Sequence, residues 1–160
     1  MTSTPPANPL MRRMGGSPHG AALGVEVVSV VPEVVLKVPY RPELVGDPDT
    51  GVIAGGVVTT LLDSACGWAT AAALTEPTSI ATLDLRIDYM RPAEPGKDIL
   101  ATAHCYKLTR SVAFVRAVAY DVDPSDPVAA AQAAYMLDSN AGRGVGANLA
   151  PPRTEEPPKP

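Results

Sequence analysis

Residues 52–73 read VIAGGVVTTLLDSACGWATAAA and carry one formal charge, Asp63. A helix on a protein surface shows solvent a charged face, so a run this apolar must be covered on both sides. It predicts a single long helix buried by the rest of the chain. A membrane span is the competing reading. A carboxylate near the middle of a span costs about 2.5–3.5 kcal/mol, and the flanking sequence has the period of strands, which favours the buried helix.

Around that run, period two dominates. Val25, Val27, Ser29 and Val31 alternate with Glu26 and its neighbours, and Val34, Leu36, Val38 and Tyr40 with Glu33, Val35 and Lys37. Leu83, Leu85, Ile87 and Tyr89 lie opposite Thr82, Asp84, Arg86 and Asp88, and further strands fit 98–109, 111–121 and 127–138. Short turns between them favour antiparallel pairing. The expectation is an α+β domain of about six strands wrapped around one helix. At 160 residues and 46% hydrophobic, the chain is one domain with a packed core, and general disorder is excluded. Aromatics are only 4%, so the core must pack small side chains closely. Prolines crowd both ends, which divides the chain into a tail over 1–17, a domain over 18–140 and a second tail over 141–160. Gly142-Arg143-Gly144-Val145-Gly146 lacks the third glycine and the helix of a dinucleotide loop.

A net charge of −4 argues against a nucleic-acid surface and a polybasic membrane anchor. Two cysteines and two histidines, without CxxC spacing, do not make a zinc site or a disulfide framework. No metal and no cofactor are expected. The Pro-rich start lacks the basic and apolar regions of a signal peptide, so a soluble, cytoplasmic protein is expected.

On a helical wheel, Gly56, Thr59, Thr60, Cys66, Gly67 and Thr70 fall within about 60° of Asp63. Val57, Val58, Leu61, Ala65, Trp68 and Ala72 form the opposite, packing side. Asp63 is then either a hydrogen-bonded core or interface residue, or a base or nucleophile facing a ligand that the small residues admit. Ala54-Gly55-Gly56 at the helix entrance reads either as a turn or as a terminus whose free N–H groups polarise a carbonyl.

Gly51-Val52-Ile53-Ala54-Gly55-Gly56 followed by Leu61-Leu62-Asp63-Ser64-Ala65-Cys66-Gly67 resembles the helix of PaaI-type hotdog-fold thioesterases. That family shows G-x-x-H-G-G with an acid nine positions after the histidine, and Ala54 to Asp63 has this spacing. Residues 82–93 and the turn at Pro95-Gly96 resemble the family's next strand and turn. The resemblance implies the hotdog fold, a long helix within a curved antiparallel sheet. It also implies a homodimer or tetramer with acyl-CoA sites between subunits. Gly55 matches the glycine whose N–H polarises the thioester carbonyl. Asp63 matches the acid that activates water or attacks directly, and Thr82 a water-holding position contributed by the partner subunit. Ala54 stands where the family has histidine, and Asp47 or Pro48 where many relatives have asparagine; Gly56 belongs to the same motif. These departures leave open a second reading, a non-catalytic acyl-CoA or lipid-binding hotdog protein.

Other candidates are bland. Cys66 has no histidine near it in sequence and reads as a small buried hydrophobe. Ser64 lacks a nucleophile elbow, His104 lies on a strand, and Trp68 is on the packing side. A cationic rim for CoA phosphates would draw on Arg91, Lys107 and Arg110, which otherwise are ordinary solvated charges.

Overall fold

The computed structural model describes residues 15–76 and 78–138, so the Gly142–Gly146 run, the tail over 141–160 and most of the tail over 1–17 lie outside the described residues. Helix α1 (Pro18–Leu23) is followed by β1 (Glu26–Ser29), β2 (Val34–Val38), a 3-10 turn (Pro42–Leu44), β3 (Val45–Asp47) and β4 (Val52–Ile53). Then come α2 (Gly55–Ala73), β5 (Ser79–Tyr89), β6 (Ile99–Leu108), β7 (Val112–Tyr120) and β8 (Ala129–Asp138). Six strands form one antiparallel sheet in the order β1-β2-β6-β7-β8-β5, and α2 packs across one face of it. This is the α+β arrangement expected from the sequence. Among the described residues no helix is long and apolar enough to cross a membrane.

Strand alternation supplies the core. Val34, Leu36 and Val38 on β2, Val115 on β7 and Tyr135 and Leu137 on β8 are buried against the Leu61, Leu62, Ala65 and Cys66 side chains of α2. Burying each leucine contributes about 1.5–3 kcal/mol. The middle strands add eight buried alanines, Ala101, Ala103, Ala113, Ala117, Ala119, Ala129, Ala131 and Ala133. Of the packing side read from the wheel, Val57, Val58, Leu61, Ala65 and Trp68 are buried, while Ala72 is exposed at the helix end.

Two local features depart from the period-based reading. The helix begins at Gly55 rather than Val52, because Val52–Ile53 pairs with Val45–Asp47 in a small two-stranded ribbon. Gly51 turns that ribbon with φ of 74°, a left-handed value that glycine adopts without strain. At Gly46 the ribbon touches the helix entrance so closely that an added Cβ would lie 2.8 Å from Ala54 Cα.

The second departure is a bulge in β5. Thr82 pairs with Tyr135 and Asp84 with Ala134, leaving Leu83 as the extra residue. The bulge breaks the alternation. Ile80 and Thr82 before it share the helix side with Leu85, Ile87 and Tyr89 after it, and Leu83 turns outward, 56% exposed. Leu83 therefore does not share a face with Leu85, and Thr82 does not share one with Asp84.

Candidate active site

Three threonines of the α2 stripe have local explanations. Thr59, Thr60 and Thr70 each donate their hydroxyl to the carbonyl four residues back, at 3.1, 2.9 and 3.0 Å. Gly67 and Cys66 are buried. Asp63 is the side chain of the stripe that reaches the sheet through its charge. Its Oδ1 accepts from Thr82 Oγ1 at 3.0 Å and from the Tyr135 hydroxyl at 2.9 Å. The same Tyr135 hydroxyl donates to the Asp63 main-chain carbonyl at 2.7 Å. Among the described residues Oδ2 has no donor. Asp63 is half-buried and lines an open cleft of about 500 Å³ with Ser64, Gly67, Trp68, Ile80, Thr82, Tyr135 and Ser17, the cap of α1.

Thr82 and Tyr135 are direct register partners, so the sheet presents two hydroxyls side by side to one carboxylate oxygen. The bulge at Leu83 lets Thr82 point inward while the rest of β5 keeps Leu85 and Ile87 inward too. Thr82 thus reaches Asp63 within one chain. Motif reasoning misses Tyr135. Its signal is a lone large hydroxyl-bearing side chain in the alanine run of β8, since a buried tyrosine needs a partner for its hydroxyl.

Cys66, one turn from Asp63, has its thiol pushed up to about 12, first by burial and then by the Asp63 charge. A thiol held protonated at neutral pH is a poor nucleophile, in keeping with the core reading. Ser64 lines the cleft without a base, and Trp68 is buried, its ring 3.6 Å from where a Cβ on Gly15 would lie.

The helix entrance forms a second place. Ala54 is the N-cap and offers no side-chain hydrogen bond, and the Gly55 and Gly56 N–H groups have no acceptor among the described residues. Gly56 stands in open space, with nothing within 4 Å of where a Cβ would be. Gly55 borders a separate cleft of about 360 Å³ beside Tyr89. The Tyr89 hydroxyl lies 2.7 Å from both the Gly55 carbonyl and Thr59 Oγ1, tying the first turn of α2 to β5. Eight residues of helix separate Gly55 from Asp63, about 12 Å at 1.5 Å per residue. One chain does not bring the two groups to one carbonyl.

The candidate rim residues divide. Arg91 is engaged within the protein. It donates to both Asp121 carboxylate oxygens at 2.8 and 2.6 Å, to the Pro92 carbonyl at 3.1 Å and to the Asp126 carbonyl at 2.7 Å. Its Nε is buried 3.1 Å from Asp126 Oδ2, an ion-pair contact without hydrogen-bond alignment. With its terminal N–H groups committed and Nε shut away from solvent, Arg91 has no donor left for a phosphate, which corrects its expected place in the substrate rim. The Asp121 carboxylate, 2% exposed, also accepts from the Glu94 and Val122 N–H groups, and Arg91 holds it well below the usual carboxylate range. Asp47 is likewise occupied locally, with Oδ2 bound by Thr50 at 2.8 Å and Oδ1 by the Asp49 N–H at 3.1 Å. Lys107 and Arg110 are exposed at the β6–β7 turn. Register places Leu108, their neighbour, in the row Thr82–Tyr135–Ala113–Leu108 that crosses the sheet at the level of Asp63. Among the described residues no group of three or more His, Cys, Asp or Glu is placed to hold a metal.

Residues 50–128 match the family model of the thioesterase superfamily. A Pseudomonas aeruginosa protein of solved structure is 41% identical, covering 78% of this chain and 93% of its own, with a TM-score of 0.72. The chain belongs to the thioesterase superfamily. PaaI, the phenylacetic acid degradation protein of Thermus thermophilus, solved as a single-site mutant, is 27% identical. That alignment covers 75% of this chain and 98% of PaaI, with a TM-score of 0.65. Among curated relatives, an esterase-named protein of Halobacterium salinarum is 36% identical over 100 residues, which span 59% of this chain and 65% of the relative. The medium/long-chain acyl-CoA thioesterase YigI of Escherichia coli is 29% identical over 75% of this chain and 85% of its own length. The PaaI-type hotdog resemblance read from Gly51–Gly67 thus agrees with both the family model and the solved neighbours.

Proposed function

We propose that the protein hydrolyses an acyl-CoA thioester to the free acid and CoA, with Asp63 as the group that activates water. One observation carries this. Two hydroxyls fix Oδ1 of a carboxylate on an otherwise uncharged helix, while Oδ2 stands without a donor beside an open cleft. Superfamily membership and the likeness to YigI support thioester chemistry. Asp63 takes a proton from water, the oxygen adds to the thioester carbon, and the carbon–sulfur bond breaks as the CoA thiolate takes a proton back. Asp63 as direct nucleophile would reach the same products through a transient anhydride. The reaction so written needs no cofactor beyond the CoA of the substrate.

The separation between Gly55 and Asp63 supports an assembly of two copies. Reacting groups must converge to about 3–3.5 Å, so a Gly55 N–H that polarises the carbonyl must come from a second copy. An antiparallel pair of α2 helices supplies it, bringing the free N-terminus of one helix to the Asp63 level of the other. The protein acts in this reading as a cytoplasmic homodimer or a tetramer of such pairs, with Gly56 leaving room for the ligand. Lys107 and Arg110 are the cations for the CoA phosphates.

The test is CoA release from a panel of short, medium and aromatic acyl-CoAs. Asp63→Asn is expected to lower kcat by about 10²–10⁴, the usual contribution of a general base. A loss under about tenfold would remove Asp63 from the chemistry. Ala54, without a side-chain group at the helix entrance, favours a second reading, an acyl-CoA or lipid-binding module. Saturable acyl-CoA binding without turnover, unchanged in Asp63→Asn, is its signature.

A further inference from the structure

We propose that Tyr135 is the positioning residue of this site, its hydroxyl fixing Asp63 in the rotamer that leaves Oδ2 free for water. The inference rests on Asp63 being the group that activates water. A phenol has one proton, and the Asp63 carbonyl and Oδ1 are both pure acceptors, at 2.7 and 2.9 Å. The proton therefore lies between them and links the carboxylate to its own main chain. Swinging Asp63 into another staggered well would carry Oδ1 away from its carbonyl and break that link.

Thr82 holds the same oxygen but does not do the same work. Thr82 is exposed on the edge strand, where water replaces a lost hydroxyl, whereas Tyr135 is 3% exposed on an inner strand at the wall of the cleft, where water has little room to take its place. Packing in β8 fixes the ring, so the hydroxyl is a rigid reference point on the sheet. Burial, and then the Asp63 charge, raise the Tyr135 pKa far beyond its usual value, so the group remains a donor throughout the working pH range. No proton leaves Tyr135 in the cycle; it acts on the substrate only through Asp63.

Tyr135→Phe keeps the ring and removes the link. It is expected to lower kcat about tenfold to hundredfold, the effect of a carboxylate displaced by about 1 Å, with KM unchanged within about twofold. In an Asp63→Asn background the same substitution should leave the residual rate unchanged within about twofold, because the group it positions is gone. Installing 4-aminophenylalanine at 135 returns a donor to the same place and should recover most of the lost kcat. If Tyr135→Phe does not fold, 4-aminophenylalanine against 4-methylphenylalanine makes the same comparison at constant volume. Full kcat in Tyr135→Phe, equal slowing in both backgrounds, or no recovery by the amine would overturn the positioning role while leaving Asp63 in place. Asp63→Asn with an undiminished rate would instead remove Asp63, and Tyr135 with it.

Discussion

Gly46→Ala tests how the helix entrance is held. The added methyl would lie 2.8 Å from Ala54 Cα and 3.1 Å from its Cβ, where ordinary contact begins at 3.4 Å. Both neighbours are backbone or the first side-chain atom, so neither can rotate away. The ribbon and the helix entrance must then part by about 0.6 Å. Overpacking of this kind costs about 1–3 kcal/mol, seen as a lower melting temperature. Ala54 is the N-cap of α2, so the shift is passed to Gly55 next in the chain. Since misplacement by about 1 Å can cost 10²-fold in rate, the smaller shift is expected to lower kcat about tenfold. Gly56→Ala is the control. Its Cβ meets nothing within 4 Å, so the fold should hold or gain up to about 1 kcal/mol from better helix propensity. Any loss of activity there reports obstruction of ligand rather than distortion. The two variants are compared by circular-dichroism melting and by CoA release. Gly46→Ala matching the native protein in both measurements would refute the close contact and the positioning argument built on it.

Asp121 makes the fold sensitive to acid. Its folded pKa is depressed below the unfolded value of about 3.9, so its stabilisation is fully present above about pH 5 and is lost as pH falls below that. Asp121→Asn should melt about 5–10 °C lower at pH 7, with the gap beginning to narrow as pH falls below about 4; a gap that stays constant with pH would contradict the pairing with Arg91. For Cys66 the sign is reversed. Its folded thiol titrates at about 12, so the native protein should resist iodoacetamide at Cys66 at pH 8, and stability should fall as pH rises above about 8.5. Peptide mapping that finds Cys66 alkylated in the native state would contradict the buried thiol.

The helix and the sheet are legible because each follows from a periodicity. The run 52–73, with a single charge, requires burial, and alternation marks the strands. Asp63 stands out as the one charge in that run, and the Gly55-Gly56 spacing carries the family resemblance. What fails are the places where one residue breaks a period. Leu83 satisfies the alternation of Leu85 and Ile87, and only pairing with Ala134 and Tyr135 reveals it as the bulge that aims Thr82 at Asp63. Val52 and Ile53 look helical by composition, yet the turn at Gly51 draws them into a ribbon. Arg91 reads as a free cation because its partners Asp121 and Asp126 lie thirty or more residues away in sequence. Tyr135 is 72 residues from Asp63, a contact no local pattern encodes.

The alanine floor beneath α2 sets how far this protein can drift. Where a helix rides on leucines or methionines, a substitution below is absorbed by side-chain rearrangement. Here the eight buried methyls have no rotamers to exchange, so a larger residue under the helix lifts it bodily. The vertical placement of Asp63 is inherited from main-chain spacing. Changes in substrate preference must therefore arise at the cleft walls and the strand edge, and the inner strands are the part that evolution can least afford to enlarge.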